Sequence, residues 1–260
     1  MTRHVISAVA AFVLVAGSLA AVADSHVRIV RLSSVEGQVQ MDRAAGAGLE
    51  RAILNTPIVE GTRLVTGSDG LAEIEFENQS ALRLTEDSEV KFSKLLMNDA
   101  GVKIDQIEVV KGLVYLDTAS KGDDVYRLMV GSKSFLVHRD TDLRLSAGPD
   151  QIQVAVFKGE VQLENQQQPV IVNKKETLTL AGNSGTNYGV AKGVEPVRFD
   201  AWNKEREAYS NNHQSDGELG PFRHVVMADI GLKADERDVE AVGNKTQDRG
   251  NGSQIKKLWR

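Results

Sequence analysis

The sequence predicts an all-β protein, either a β-sandwich or an irregular β-coil of short strands, followed by one C-terminal helix and a disordered tail. Three observations predict it. Apolar and polar residues alternate in short runs: Ala72, Ile74 and Phe76 fall on one side, Glu73, Glu75 and Glu77 on the other. That is the period of two expected of a half-buried strand. The runs are separated by turn chemistry, as at Gly67-Ser68-Asp69-Gly70 and Asn78-Gln79-Ser80, residues that tolerate tight or left-handed backbone. Finally, one phrase recurs. Val35-Glu36-Gly37-Gln38-Val39-Gln40-Met41 returns as Val110-Lys111-Gly112-Leu113-Val114-Tyr115-Leu116 and as Phe157-Lys158-Gly159-Glu160-Val161-Gln162-Leu163. A glycine between two strand halves marks a bulge or a sharp bend. The unequal spacing of the three glycines argues against a solenoid of fixed period.

Taken in order, residues 1–23 read as a secretory signal peptide. Arg3 and His4 precede an apolar run over 5–19, and Ala21-Val22-Ala23 supplies a small-x-small ending before Asp24. Cleavage is expected after Ala23, which places the mature chain in the periplasm of a Gram-negative cell. No later apolar run has the ~20 residues a membrane span needs, so no stable membrane insertion is expected once the leader is removed. A β domain follows over 27–180. It opens with alternating residues at 26–32 and the first glycine phrase, then a small-residue loop at 44–48. The densest alternation lies at 55–92, entered by Pro57 and closed by Val90 and Phe92. Further runs at 102–110, 113–116, 126–130, 135–137, 143–145, 152–156, 170–172 and 178–180 are broken at 98–101, 120–124, 131–133, 148–150 and 166–169. Residues 181–198 read as a linker. A helix is expected over 199–210, with Asp200 as N-cap and Phe199, Trp202 and Tyr209 on one face. The remainder, 211–260, is polar and charged, a composition that favours disorder; within it only 222–230 is apolar enough to dock.

The 55–92 block resembles the FecR-type domain of bacterial cell-envelope proteins. It carries Gly61, a Leu64-Val65-Thr66-Gly67 step, an Ala72-to-Phe76 strand, a polar turn at 78–80, a Leu82-to-Leu84 strand and a Ser88-to-Val90 ending. Residues 139–163 are similar to the second half of that domain, and the Asp200-x-Trp202-x-x-x-Arg206 helix resembles the segment after the β region in stand-alone members. The resemblance implies an extracytoplasmic binding or signal-relay module. Regulatory members set a cytoplasmic anti-sigma segment before a membrane span; with four residues ahead of the apolar run, this chain is expected to lack both parts.

Composition narrows the chemistry. The chain has 41% hydrophobic and 26% charged residues and a formal net charge of −5, with basic residues scattered singly, so nothing is gathered to neutralise nucleic-acid phosphates. It contains no cysteine, which excludes disulfides, thiolate nucleophiles and cysteine–zinc sites. The histidines lack ligand spacing, and His138 reads as a strand residue on a polar face. Asp123-Asp124 and Asp140-x-Asp142 read as acidic turns without the ligand set of a calcium loop. Glu73, Glu75 and Glu77 read as a solvated face. No catalytic, cofactor-binding or metal site is therefore expected, and the chain reads as a non-enzyme acting through an envelope protein partner. The candidate partner-binding residues are Phe199, Trp202 and Tyr209; their structural alternative is a helix covering strand edges, which all-β proteins must protect. An exposed strand edge, open to an added strand, is a second candidate surface. A polysaccharide- or peptidoglycan-binding module is the functional alternative, and it would need aromatic platforms on a β face.

Overall fold

A computed structural model describes residues 28–164, 168–181 and 187–215. The leader assigned to 1–23 and the tail beyond 215 lie outside the described residues. The chain divides into two compact units, 1–197 and 198–260.

Among the described residues, the first unit is a connected network of sixteen strands that forms two sheets. One sheet orders its strands β1 (Arg31–Glu36), β5 (Leu71–Glu75), β6 (Ala81–Leu84), the second half of β8 (Lys103–Asp117), β11 (Asp142–Ala147), β12 (Gln151–Lys158), β15 (Glu176–Ala181) and β16 (Tyr188–Lys192). The other runs β3 (Glu50–Arg51), β2 (Val39–Asp42), β4 (Arg63–Thr66), β7 (Glu89–Met97), the first half of β8, β9 (Val125–Val130), β10 (Lys133–Val137), β13 (Glu160–Leu163) and β14 (Val170–Asn173). Every pairing is antiparallel except that of β8 with β9. The chain passes back and forth between the sheets as it advances along the stack, so the architecture is a sandwich built by coiling.

The repeated glycine phrases are the corners of this coil. Gly37 joins β1 to β2, Gly112 bends β8 from one sheet into the other, and Gly159 joins β12 to β13. All three have positive φ, +63°, +97° and +72°, a region that an L side chain enters only at a cost. Threonines hold two further corners. Thr66, from the Leu-Val-Thr-Gly step, donates its hydroxyl to Thr85 O at 2.6 Å and accepts the Ser88 amide at 2.8 Å. Thr118 does the same between His138 O at 2.7 Å and the Thr141 amide at 2.9 Å. At these turns the backbone leaves one ladder before joining the next, and the buried hydroxyls satisfy groups that would otherwise be orphaned.

Inward residues of both sheets form one hydrophobic cluster, including Leu32, Ile74, Leu82 and Leu145 from the first and Leu64, Phe92, Leu128 and Phe135 from the second. Phe76 and Tyr126 meet edge to face at 5.2 Å between ring centres, a favoured aromatic geometry. Two sequence expectations are corrected. The stretch read as a linker contains β16, a strand that extends the β unit beyond residue 180; its Gly and Ala residues and the preceding polar run hid the alternation. The helix, α1, runs Asp200–Ser215 and so continues past residue 210, because Asn211 and Asn212 lower helix propensity without breaking it.

Candidate functional site

A charged cluster of the β unit is built on Arg28, at the start of the described chain. Its guanidinium reaches Glu77 through Nε and Nη2, the Leu96 carbonyl through Nη1 at 2.8 Å, and Asp105 Oδ2 through Nη2 at 3.2 Å. Glu77 also accepts the Ile29 amide at 3.0 Å. Asp105 lies on β8 at the same inward parity as Ile107 and Val109 and is fully buried. Its Oδ1 sits 2.9 Å from Arg28 Nη2 but has no hydrogen bond among the described residues. Asp124 closes the cluster, accepting Asn78 Nδ2 at 2.7 Å and the Lys103 amide at 3.2 Å, while Tyr126 donates its hydroxyl to Asn78 Oδ1 at 3.1 Å.

Burial sets the electrostatics of this cluster. It pushes the Asp105 carboxyl up to about 7; the Arg28 charge offsets part of that, and the neighbouring charges of Glu77 and Asp124 add to it. Burial also opposes the charges of Glu77 and Arg28, but their mutual bonds outweigh it: Glu77 is held below the usual carboxylate range and Arg28 above its usual value. The Tyr126 phenol is raised, chiefly by burial. With Asp105 enclosed and bonded to Arg28, the arrangement is suited to pinning residues 28 and 29 against the middle of the second sheet.

A second polar row lies on the outer side of the first sheet. Glu73, Arg83, Tyr115 and Arg144 are neighbours across β5, β6, β8 and β11, and all are buried. Arg83 donates to Glu73 at 2.7 Å, Ser33 donates its hydroxyl to the other Glu73 oxygen at 2.9 Å, and Arg144 donates to the Glu195 carbonyl at 2.9 Å. The expected solvated face of Glu73, Glu75 and Glu77 is thus corrected. The three carboxylates pair with Arg83, Arg31 and Arg28 respectively. The arginines come from positions distant in sequence, so the alternation of Glu residues alone did not show them.

Other sequence candidates do not converge. Arg139 and Asp140 pair outward with Asp123 and Lys158, and His138 contributes its carbonyl to the Thr118 corner. Among the described residues no group of three or more histidines and acids is placed to hold a metal. Of the proposed partner residues, Phe199 and Trp202 are half-buried and Tyr209 is 53% exposed. Arg198 lies over the Phe199 ring at 4.4 Å, and Arg206 lies over Tyr209 at 5.0 Å. Among residues 200–210 of α1, Asn203 is buried, Asp200, Trp202, Arg206, Glu207 and Ser210 are half-buried, and Tyr209 is exposed. Sequence reasoning passed over Arg28 and Asp105. The signal for Asp105 was an acid at the same parity as the core residues Ile107 and Val109 that follow it.

Residues 62–162 match the family model described as FecR protein. The fold is similar to two crystal structures of a candidate anti-sigma factor from Parabacteroides distasonis. Each is 10% identical in sequence, with TM-scores of 0.44 and 0.43, covering 54% and 50% of this chain. The chain spans 63% and 59% of the length of those structures. No curated protein matches it. Among the described residues no helix is long and apolar enough to cross a membrane.

Proposed function

From a chain that carries a FecR domain over residues 62–162, we propose a non-enzymatic binding and signal-relay module that works by protein–protein contact in the cell envelope. The leader at 1–23 exports it, cleavage after Ala23 frees it, and the mature protein acts in the periplasm. The FecR match carries this reading. The buried acids Glu73 and Asp105 each lie against an arginine of the same chain, which fits a charge arrangement used to hold the β unit together. The module's surface, including Phe199 just before α1 and Trp202 and Tyr209 on it, is where a partner is met.

The test is affinity capture with the mature chain from an envelope extract, using reversible crosslinking and a parallel glycan array. Recovery of one protein at near-stoichiometric yield, weakened by Trp202→Ala or Tyr209→Ala, is the expected result. Tight binding to envelope glycans with no protein recovered would overturn the reading in favour of a polysaccharide- or peptidoglycan-binding module.

A further inference from the structure

The two sheets have four terminal strands, and three of them are protected. The free side of β1 is occupied by residues 55–58: Leu32 donates to the Thr56 carbonyl, Asn55 to the Leu32 carbonyl and Ile58 to the Val30 carbonyl, at 2.8–3.0 Å. β3 has only two residues, one of them Arg51. β14 has four residues and is entered through Pro169. Short length, charge and proline are the usual means of blunting an edge. β16 has none of these over its first four residues. It is five residues long, fully paired to β15 without a bulge, and exposed at every position.

Its ladder also fixes which backbone groups face outward. Ala181 donates to the Asn187 carbonyl at 3.3 Å and Gly193 donates to the Lys175 carbonyl at 2.7 Å. Hydrogen-bonded pairs alternate along an antiparallel ladder, so Asn187, Gly189, Ala191 and Gly193 bond toward β15. The N–H and C=O groups of Tyr188, Val190 and Lys192 therefore point away from the sheet, and no described residue meets them. The side chains of these three lie opposite Leu180, Leu178 and Glu176, on the core side of the sheet. Tyr188 is 47% and Val190 39% exposed, so the apolar inner face continues past the last covered strand.

We propose that β16 is a homotypic interface, in which the β16 edges of two copies of this chain pair antiparallel about a two-fold axis at Val190. The register comes from the residues. A two-fold pairing must be self-complementary; centred on Val190 it sets Val190 against Val190 of the second copy and Tyr188 against Lys192, twice. Both pairings are of the hydrogen-bonded kind, which the outward backbone groups require. Each lysine lies across an aromatic ring, a favourable cation–π and packing arrangement, and no like charges oppose. Between them stand only Gly189 and Ala191, small enough to leave the outer face of the joined strands flat. The pairing fuses two sheets into one and brings the two uncovered inner margins together.

Cysteine crosslinking tests this directly, because the chain has no cysteine of its own. In the mature protein, Val190→Cys places each sulfur opposite its own copy, within the reach of a disulfide. Ala191→Cys lies on the other face, opposite Gly189, with its own copy diagonal at about 7–8 Å. Mild oxidation should link Val190→Cys into a covalent dimer at least tenfold more than Ala191→Cys. Val190→Lys sets two ammonium groups face to face at an exposed position, and sedimentation should show dimer dissociation raised at least tenfold, with the circular dichroism unchanged. A wild-type chain that sediments as a monomer at every concentration would overturn the proposal. So would a Val190→Cys chain that stays uncrosslinked because its own tail or another protein covers the edge, or equal crosslinking at 191.

Discussion

Replacing Gly112 by alanine tests the central feature of this fold, the bend that lets β8 serve both sheets. At φ +97° an L residue is disfavoured, by about 1–2 kcal/mol. The added Cβ would also meet Ser88, at 2.3 Å from its hydroxyl and 2.5 Å from its Cα. Ser88 cannot swing aside freely. Its amide bonds to Thr66, its hydroxyl accepts the Leu113 amide at 3.0 Å, and its carbonyl accepts the Thr66 amide. Overpacking of this kind costs about 1–3 kcal/mol, so the combined loss is about 2–5 kcal/mol. Against a domain stability of about 5–15 kcal/mol, that is large. Gly101 supplies the control: its φ is +78°, but nothing lies within 4 Å of the added Cβ, so Gly101→Ala carries the backbone cost alone, about 1–2 kcal/mol. Urea titration followed by far-ultraviolet circular dichroism reads both. The Gly112 variant should show the lower midpoint, by about 1 M if m is about 2–3 kcal/mol/M. Equal midpoints for the two variants would refute the argument, because they would show that the corner is not a close approach.

Two further perturbations address the charged clusters. Asp105 has its folded-state pKa raised to about 7, above the unfolded value of about 3.9. Its contribution to stability is therefore fully present below about pH 4 and lost as pH rises through 7. Glu77, with a lowered pKa, acts oppositely and only toward acid. Asp105→Asn should thus flatten the fall in stability between pH 5 and 7.5, read by thermal melts across that window; wild-type and variant curves that run parallel would contradict it. Arg83→Met leaves the Glu73 carboxylate buried without its principal partner, the two side chains being 1% and 6% exposed. A loss of about 3–5 kcal/mol in urea unfolding is expected, and one below about 1 kcal/mol would place the pair with ordinary surface bridges.

The core and corners were open to sequence reasoning because both have local causes. Alternation at Ala72, Ile74 and Phe76 names an inner face without knowledge of the partner strand, and a glycine between strand halves names a bend. Gly37, Gly112 and Gly159 all proved to be places where the chain changes sheet. Charged pairing was much less legible. Arg28 and Asp105 are 77 residues apart, and the Glu73–Arg83 pair depends on a hairpin register that the turn at 78–80 sets only once the strands have formed. A glutamate with a buried partner and one in water have the same local pattern. β16 escaped for a different reason: Tyr188-Gly189-Val190-Ala191-Lys192 has too few β-branched or aromatic residues to declare itself, and it becomes a strand because β15 offers it a ladder.

The coiled order of the strands also decides which end of the molecule can act. Each new hairpin stacks on the one before, so the earliest strands form one end and the latest the other. The early end is closed by its own chain: residues 55–58 cover β1, and Arg28 binds the segment before β1 to Glu77 and Asp105. Such closure requires later residues to fold back over earlier ones, as Glu77, Leu96 and Asp105 do for Arg28. Among the described residues the outward N–H and C=O groups of the last strand remain open at Tyr188, Val190 and Lys192. Any module of this design that works by being touched is therefore best touched at its late end, where an added strand gains backbone hydrogen bonds without displacing one already made. Contact with a partner at that edge would compete with the pairing of two copies there, linking self-association to the relay by mass action.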